Sequence, residues 1–276
     1  MKAGGGGSST PIEESRLYLS GWFRRRILSK YLKPEHKNQV LLDVGGGTGA
    51  VSWWFRHQFQ AIIILDNDID ALKQIHDSNL YPVLGDARCL PFKSVCFPKA
   101  LSVDFQEHLS ENEIPLYLKE VHRVLRDSGI LVVFTSCRGF TIRRWLYWVV
   151  GKCPKGDLDW ADWAKDGHRN RLTASQHRKL IEETGFQLTK WRFYGHLFDP
   201  LVRRFHAGLI AVVSLIAGRS DQGKYFQQSY RSRKPSILVE RYFWILKWVA
   251  YLDCILLGRI PGGAVFMKLV KNGSHY

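Results

Sequence analysis

The segment Asp43-Val44-Gly45-Gly46-Gly47-Thr48-Gly49 constrains the fold more than any other part of the chain, because it sits between two short apolar runs, Val40–Val44 and Ala61–Leu65. Both runs are continuous and rich in branched side chains, so they read as buried strands of a parallel sheet. The glycines open the crossover between them. They let the backbone turn sharply and approach a ligand closely, because a Cβ there would collide with it. The spacing predicts a helix over Ala50–Gln58 and hence a βαβ unit.

Asp66 ends the second run, where an acid can accept both ribose hydroxyl hydrogens of an adenosine, and Asn67 stands beside it. Dinucleotide enzymes share these two features. Asp43, by contrast, suits an ammonium group and its bound waters better than a nearby pyrophosphate, which favours a nucleoside carrying a cationic amino acid.

The alternation continues. The pattern predicts a helix at Ile69–Ser78, strands at Tyr81–Leu84 and Ala100–Val103, a helix at Ile114–Leu125 and a strand at Ile130–Thr135. After an irregular stretch come a helix at Ala174–Thr184 and strands at Gln187–Tyr194 and Ala264–Val270. The fold class is α/β, with a Rossmann-like, mostly parallel sheet of seven strands and a helical insertion between the last two. Residues 1–11 form a Gly/Ser-rich flexible tail, residues 12–196 and 261–276 the core, and residues 197–260 a basic, aromatic insertion.

Three other segments are distinctive. Ile12–Leu32 is a basic, aromatic helix carrying Arg24, Arg25 and Arg26, either packed on the core, covering the ligand as a lid, or facing a membrane. Thr141–Val150 is aromatic and basic, and Gly151–Arg171 is a polar loop holding Trp160, Trp163 and His168, read as a substrate-facing insertion. Within 197–260, Leu209–Ala217 is short, and Ile237–Leu257 carries Glu240, Arg241, Lys247 and Asp253, so neither suits a bilayer span. As a helix, the longer segment places Glu240, Arg241, Trp244, Lys247, Trp248 and Tyr251 on one side and Val239, Phe243, Leu246, Val249, Ala250 and Leu256 on the other. With Arg219, Lys224, Arg231, Arg233 and Lys234 before it, the helix either packs on the core or lies at an anionic membrane interface.

The formal charge of +15, from 40 Lys and Arg against 25 Asp and Glu, attracts nucleic acid, anionic headgroups or phosphorylated substrates without choosing among them. Five scattered cysteines without a Cys-x-x-Cys pair suggest neither a disulfide framework nor a zinc site, and the first residues lack a signal peptide's apolar core. A reducing, cytoplasmic setting follows as the expectation, peripheral on the inner membrane face if the insertion binds lipid.

The run Val40–Gly49 with Asp66 resembles the first two motifs of the class I S-adenosylmethionine-dependent methyltransferases. Later segments agree in order: Gly85-Asp86-Ala87 before Leu90-Pro91-Phe92, Asp104 to Leu109 with its Glu-His-Leu, and His122 to Arg126 before Ser128-Gly129. The match covers roughly Val40–Thr135 and continues through Gly167-His168 to Gly185-Phe186, and is similar to the type 11 group that includes ubiquinone and menaquinone biosynthesis enzymes. Pro98 and Asp127-Ser128 depart from the family pattern.

The resemblance implies S-adenosylmethionine as cofactor. Asp43, Gly45, Gly46, Gly47, Gly49, Asp66, Asn67, Asp86, Ala87 and Asp104 would bind it, with Asp86 on the adenine amino group. His108 and His168, both on the carboxyl edge of the sheet, are candidate bases, each weighed against a loop-stabilising role. Asp104, Glu107 and His108 resemble a cluster that holds a divalent cation in some relatives, but no metal is expected. The acceptor would be a small hydrophobic or lipid-linked molecule near an anionic membrane surface. Alternatives are RNA methylation, prompted by the basic charge, and a non-catalytic nucleotide-binding scaffold.

Overall fold

A computed structural model describes residues 21–149, 167–202, 204, 205, 208 and 237–272. The tail Met1–Pro11, the first part of the helix predicted over Ile12–Leu32, Trp160, Trp163, the run Leu209–Ala217 and the cations Arg219, Lys224, Arg231, Arg233 and Lys234 lie outside the described residues.

All seven expected strands are present: β1 (Val40–Val44), β2 (Ala61–Asp66), β3 (Leu80–Leu84), β4 (Phe97–Val103), β5 (Leu125–Ser136), β6 (Phe186–Tyr194) and β7 (Ala264–Lys271). They lie in the order β3-β2-β1-β4-β5-β7-β6. The first five run parallel, and β7 is antiparallel to both β5 and β6. Chain order reverses direction at the β1–β4 pair, so the crevice beyond the carboxyl ends of those two strands is where such a sheet takes a ligand.

Side chains alternate across the strands, yet both faces are covered, which is why the strands read as continuous apolar runs. On one face Leu42, Ala100 and Leu131 pack with Tyr117, Leu118 and Val121 of α3 (Ile114–Val124) and Ile181 of α5 (Ala174–Glu183). On the other, Leu41, Leu101 and Val132 pack with Phe23, Ile27 and Leu28 of α1 (Gly21–Leu32) and Ala250 of α6 (Ile237–Leu256). Two shorter helices are α2 (Ile69–Leu72) and α4 (Ile142–Val149). Thr173 and Gln176 form a reciprocal capping box that starts α5, and Gly185 follows its end in a left-handed conformation, φ 82°.

Two expected helices are shorter than their sequence pattern. Ala50–Gln58 contains only a 3₁₀ turn at Ser52–Phe55. The carbonyl of Trp53 accepts from Arg56 Nη1 at 2.8 Å and that of Arg56 from Asn79 Nδ2 at 3.2 Å, so side chains take the acceptors that a continuing helix would use. Ile69–Ser78 retains α-helix only as α2, whose start Asp68 caps through Asp70 N and Ala71 N. Its continuation tightens to Gln74 N to Ala71 O and Ile75 N to Leu72 O, and Asp77 then turns the chain toward β3 by accepting from Asn79 N. At the other extreme, β4 and β5 begin earlier than predicted, at a Phe97–Leu125 pairing separated from the rest of the ladder by a register shift.

Among the described residues no helix is long and apolar enough to cross a membrane. In α6, Phe243, Leu246 and Ala250 face inward as expected, whereas Leu256 is exposed. Trp248 and Tyr251, assigned to the charged side, pack against Trp22 of α1, tilted and edge-on, at 5.1 and 5.7 Å between ring centroids. The two-sided pattern fails because α6 touches α1 as well as the sheet.

Asp253 anchors the insertion. Fully buried, its carboxylate accepts four backbone N–H groups, from His196 (3.0 Å), Leu197 (3.1 Å), Phe198 (2.7 Å) and Asp199 (3.1 Å). The last three are orphan donors of the helical turn that begins at residue 198, and the first lies just before it. Replacing Asp253 with Ala strands them in the interior. The expected cost is about 3 kcal/mol, read as a lower urea midpoint, with Asp253→Asn intermediate because it retains one acceptor oxygen.

Candidate functional site

The glycine loop is held from within. Gly45 N donates to Leu65 O at 2.8 Å, so the loop bends back across the end of β2. A Cβ on Gly45 would lie 2.1 Å from the Phe105 ring, one on Gly46 2.7 Å from Asp43 Oδ2, and one on Gly49 2.7 Å from Ile64 Cδ1. These three glycines are therefore demanded by the protein's own packing. Gly47 differs: at φ 52° its Cβ direction meets only Asp66 Oδ2, at 4.0 Å, and is otherwise open.

Four acids mark the carboxyl ends of adjacent strands. Asp66 Oδ2 accepts from Gly47 N at 2.8 Å and its Oδ1 from Asp68 N at 2.9 Å, tying the acid to the open stretch of the loop, and Asn67 beside it is exposed. Asp43 is buried, accepts from Ser52 Oγ at 2.6 Å and lies on the side that the Gly46 Cβ would fill. Loss of solvation pushes its pKa up to about 7, the Ser52 hydrogen bond opposing the rise. Asp86 follows β3 beside the buried Ala87 and is clasped by Arg88 at 2.6–3.0 Å, which holds its carboxyl below the usual range. Asp104 follows β4 with an uncommon positive φ of 53°, its N–H donating to Phe134 O at 3.0 Å.

The partner of Asp104 is a residue to which sequence reasoning gave no site role. Arg24 of α1 reaches across the edge of the sheet, its Nη2 donating to Asp104 Oδ2, and its guanidinium lies 4.1 Å over the centre of the Phe134 ring. Arg24 is largely buried while the Asp104 side chain is half exposed. The only signal in the sequence is an arginine within an amphipathic basic helix, and its two neighbours Arg25 and Arg26 share that signal.

Beyond Asp104 the chain is fixed by a buried polar network. Thr135 Oγ1 donates to Glu107 Oε2 at 2.6 Å, Asn170 Nδ2 donates to the carbonyls of Gln106 and Leu109 at 2.7 Å, and His177 bridges Gln106 and the Ser136 carbonyl. Burial pushes His177 down to about 4, so it is neutral at pH 7, and pushes Glu107 up to about 7, the Asp104 charge adding to the effect. Glu107 thus turns inward to Thr135. Among the described residues no three His, Cys, Asp or Glu side chains gather as metal ligands.

The two candidate histidines do meet. Their ring centroids are 4.7 Å apart, with His108 Nδ1 at 3.3 Å from the Gly167 carbonyl. A hydrogen on Nδ1 would satisfy that carbonyl and leave Nε2 as the acceptor nitrogen. A chain of ion pairs links this corner to the third strand: Arg88 pairs with Asp86 and Glu113, and Arg169, next to His168, reaches Glu113 at 3.0 Å.

Comparison with known proteins agrees with this architecture. Residues 42–133 match the family model described as a methyltransferase domain. The chain is 28% identical over 186 residues to the uncharacterized protein MJ1252 of Methanocaldococcus jannaschii, covering 65% of each chain. It is 29% identical over 175 residues to the ubiquinone/menaquinone biosynthesis C-methyltransferase UbiE of Paracoccus denitrificans, covering 56% of this chain and 68% of that one. The chain therefore spans about two thirds of the length of these curated relatives. The phosphoethanolamine N-methyltransferase 2 of Haemonchus contortus, solved in complex with S-adenosyl-L-methionine, shares the fold with a TM-score of 0.58 at 15% identity, over 96% of this chain and 57% of that one.

The enclosed acid Glu107 gives the fold a pH dependence. Its pKa lies above the ordinary 4.5 in the folded state, so between about 4.5 and 7 the native protein holds a proton that the unfolded chain has lost. This contribution to stability falls as pH rises through that window, and the penalty is complete above 7. Glu107→Gln keeps an oxygen for Thr135 and removes the titration. The variant should raise Tm relative to the parent more at pH 8 than at pH 5.

Proposed function

The chain carries a class I S-adenosylmethionine-dependent methyltransferase domain, and from that premise we propose an enzyme that methylates a small hydrophobic or lipid-linked acceptor at an anionic membrane surface. The sulfonium of S-adenosylmethionine supplies an activated methyl group with a good leaving group already attached. What remains for the protein is alignment of the acceptor and exclusion of water.

The donor set suits this cofactor. Gly47 leaves its side of the loop open beside Asp66, whose carboxylate is the acceptor for ribose hydroxyls. Asn67 adds polar contacts there, and Asp86 with Ala87 would meet the adenine. Gly45, Gly46 and Gly49 shape the loop by fitting against Phe105, Asp43 and Ile64. In this reading Asp43 acts from below, fixing the loop through Ser52. Asp104 would serve the amino-acid end. His108 and His168 face the acceptor, with His108 Nε2 as the base for an acceptor that must lose a proton.

The acceptor class is carried by one observation, the exposure of large apolar side chains on two helices. Trp145, Leu146 and Trp148 of α4 and Trp244, Ile245 and Leu256 of α6 are solvent-exposed. α4 follows the carboxyl end of β5, and its first N–H, on Ile142, is held by the His196 carbonyl at 2.7 Å beside the Asp253 anchor. Rings of this kind among basic residues suit an interface of headgroup and acyl chain. The quinone-biosynthesis activity in the name of the Paracoccus relative agrees with such an acceptor.

Isothermal titration should show binding of S-adenosylmethionine and S-adenosylhomocysteine and none of NAD. Asp66→Ala should weaken binding about 10-fold to 100-fold, by loss of charge-assisted hydrogen bonds. In flotation assays the protein should rise with anionic vesicles, and the triple substitution of Trp145, Trp148 and Trp244 by Ala should leave it at the bottom. Salt-sensitive RNA binding that survives the triple substitution, with methyl incorporated into RNA, would instead favour the nucleic-acid reading.

A further inference from the structure

The Arg24–Asp104 pair is unusual in its setting. Its arginine comes from outside the β/α alternation, on α1, and is almost wholly buried, whereas its aspartate opens to solvent at the ligand edge. The aspartate sits in left-handed backbone, φ 53°, which an L-residue keeps only where the surroundings enforce it. Those surroundings are the glycine loop, since the next residue, Phe105, fills the space that a Gly45 Cβ would need. A cation and an anion therefore stand together at the mouth of the β1–β4 crevice, immediately beside the loop.

We propose that Arg24 and Asp104 form a receptor for an α-amino-acid zwitterion, the methionine end of the cofactor, which inserts into their ion pair so that its carboxylate meets Arg24 and its ammonium meets Asp104. The inference rests on the methyltransferase reading and adds a binding residue to it. An α-amino acid carries both charges on one carbon, so it replaces one ion pair with two and leaves no charge uncompensated at the buried end. The guanidinium is suited to the task because it grips a carboxylate with two parallel N–H groups, a geometry that a point-charge ammonium lacks. Its contact with the Phe134 ring keeps it in place when Asp104 turns to another partner. Hydrophobic neighbours Phe23, Ile27 and Leu28 seat α1 on the sheet, so the arginine is delivered by a packed helix. The ammonium, which the sequence pattern assigns to Asp43, passes to Asp104, because Asp43 is enclosed beneath Gly46.

The test compares two nucleosides by isothermal titration: S-adenosylhomocysteine, which has the amino-acid end, and 5′-methylthioadenosine, which lacks it. Arg24→Gln should weaken S-adenosylhomocysteine about 10-fold to 100-fold and change 5′-methylthioadenosine by less than about 2-fold. Arg24→Lys, which retains charge and stem, should recover part of the difference and decides the matter if the Gln variant does not fold. Equal affinity of parent and variants for S-adenosylhomocysteine would overturn the inference, as would a parallel loss of both ligands in a folded variant, which would make α1 only a scaffold. If the parent binds neither nucleoside, the methyltransferase reading fails and this receptor with it. If the parent binds both but the variants leave their ratio unchanged, only the receptor fails.

Discussion

Gly45 has no room for a side chain. The Phe105 ring occupies the place its Cβ would take, Asp43 and Ile64 do the same at Gly46, and Ile64 does so at Gly49. This contact binds the end of β1 to the start of the segment after β4, the two strands between which chain order reverses. It brings Asp104 up against the loop, aligns Asp66 with Gly47 N, and leaves one open position at Gly47. A single extra carbon at Gly45 would have to displace an aromatic ring from a close-packed interior, and the ligand edge would be lost with it.

The carboxyl edge is supported from both faces of the sheet by different means. On one face α3 and α5 cover it, and the loop after Asp104 is locked by the neutral His177, Asn170 and Thr135. On the other face α1 and α6 cover it, joined by the rings of Trp22, Trp248 and Tyr251. Asp253 ties α6 to the chain just past β6, and His196 O in turn holds the start of α4. The exposed apolar residues of α4 and α6 are thus mounted on buried polar anchors. Such anchors fix direction more firmly than apolar packing alone, because each unmade hydrogen bond in the interior carries its own penalty.

Charge at the edge is graded by depth. Asp43 and Glu107 are buried with pKa values pushed up to about 7, whereas Asp86 is half-exposed and held below the usual range by Arg88. Asp104 is half-exposed too and paired with a buried arginine. The acids that a ligand would meet are thus the partly exposed ones, while the enclosed pair organises backbone and loop.

The seven strands, their order of appearance, the glycine turn and the acid at the end of β2, Asp66, were legible in the residues, because apolar period, turn chemistry and chain order are local properties, whereas Asp86 and Asp104 were singled out only by the family resemblance. Helix extents after the glycine loop and after β2 were not, since Arg56, Asn79 and Asp77 take backbone groups through contacts that no periodicity encodes. Nor did the sequence separate Arg24 from Arg25 and Arg26, or show that Asp253 is a cap and Asp43 an enclosed acid. Those roles depend on which side of a packed sheet each side chain falls and on partners up to 80 residues away. The chain by itself determined a parallel sheet with a nucleoside-type edge; the tertiary packing decided which charges face that edge, because burial and pairing, not residue type, set what a charged group can do.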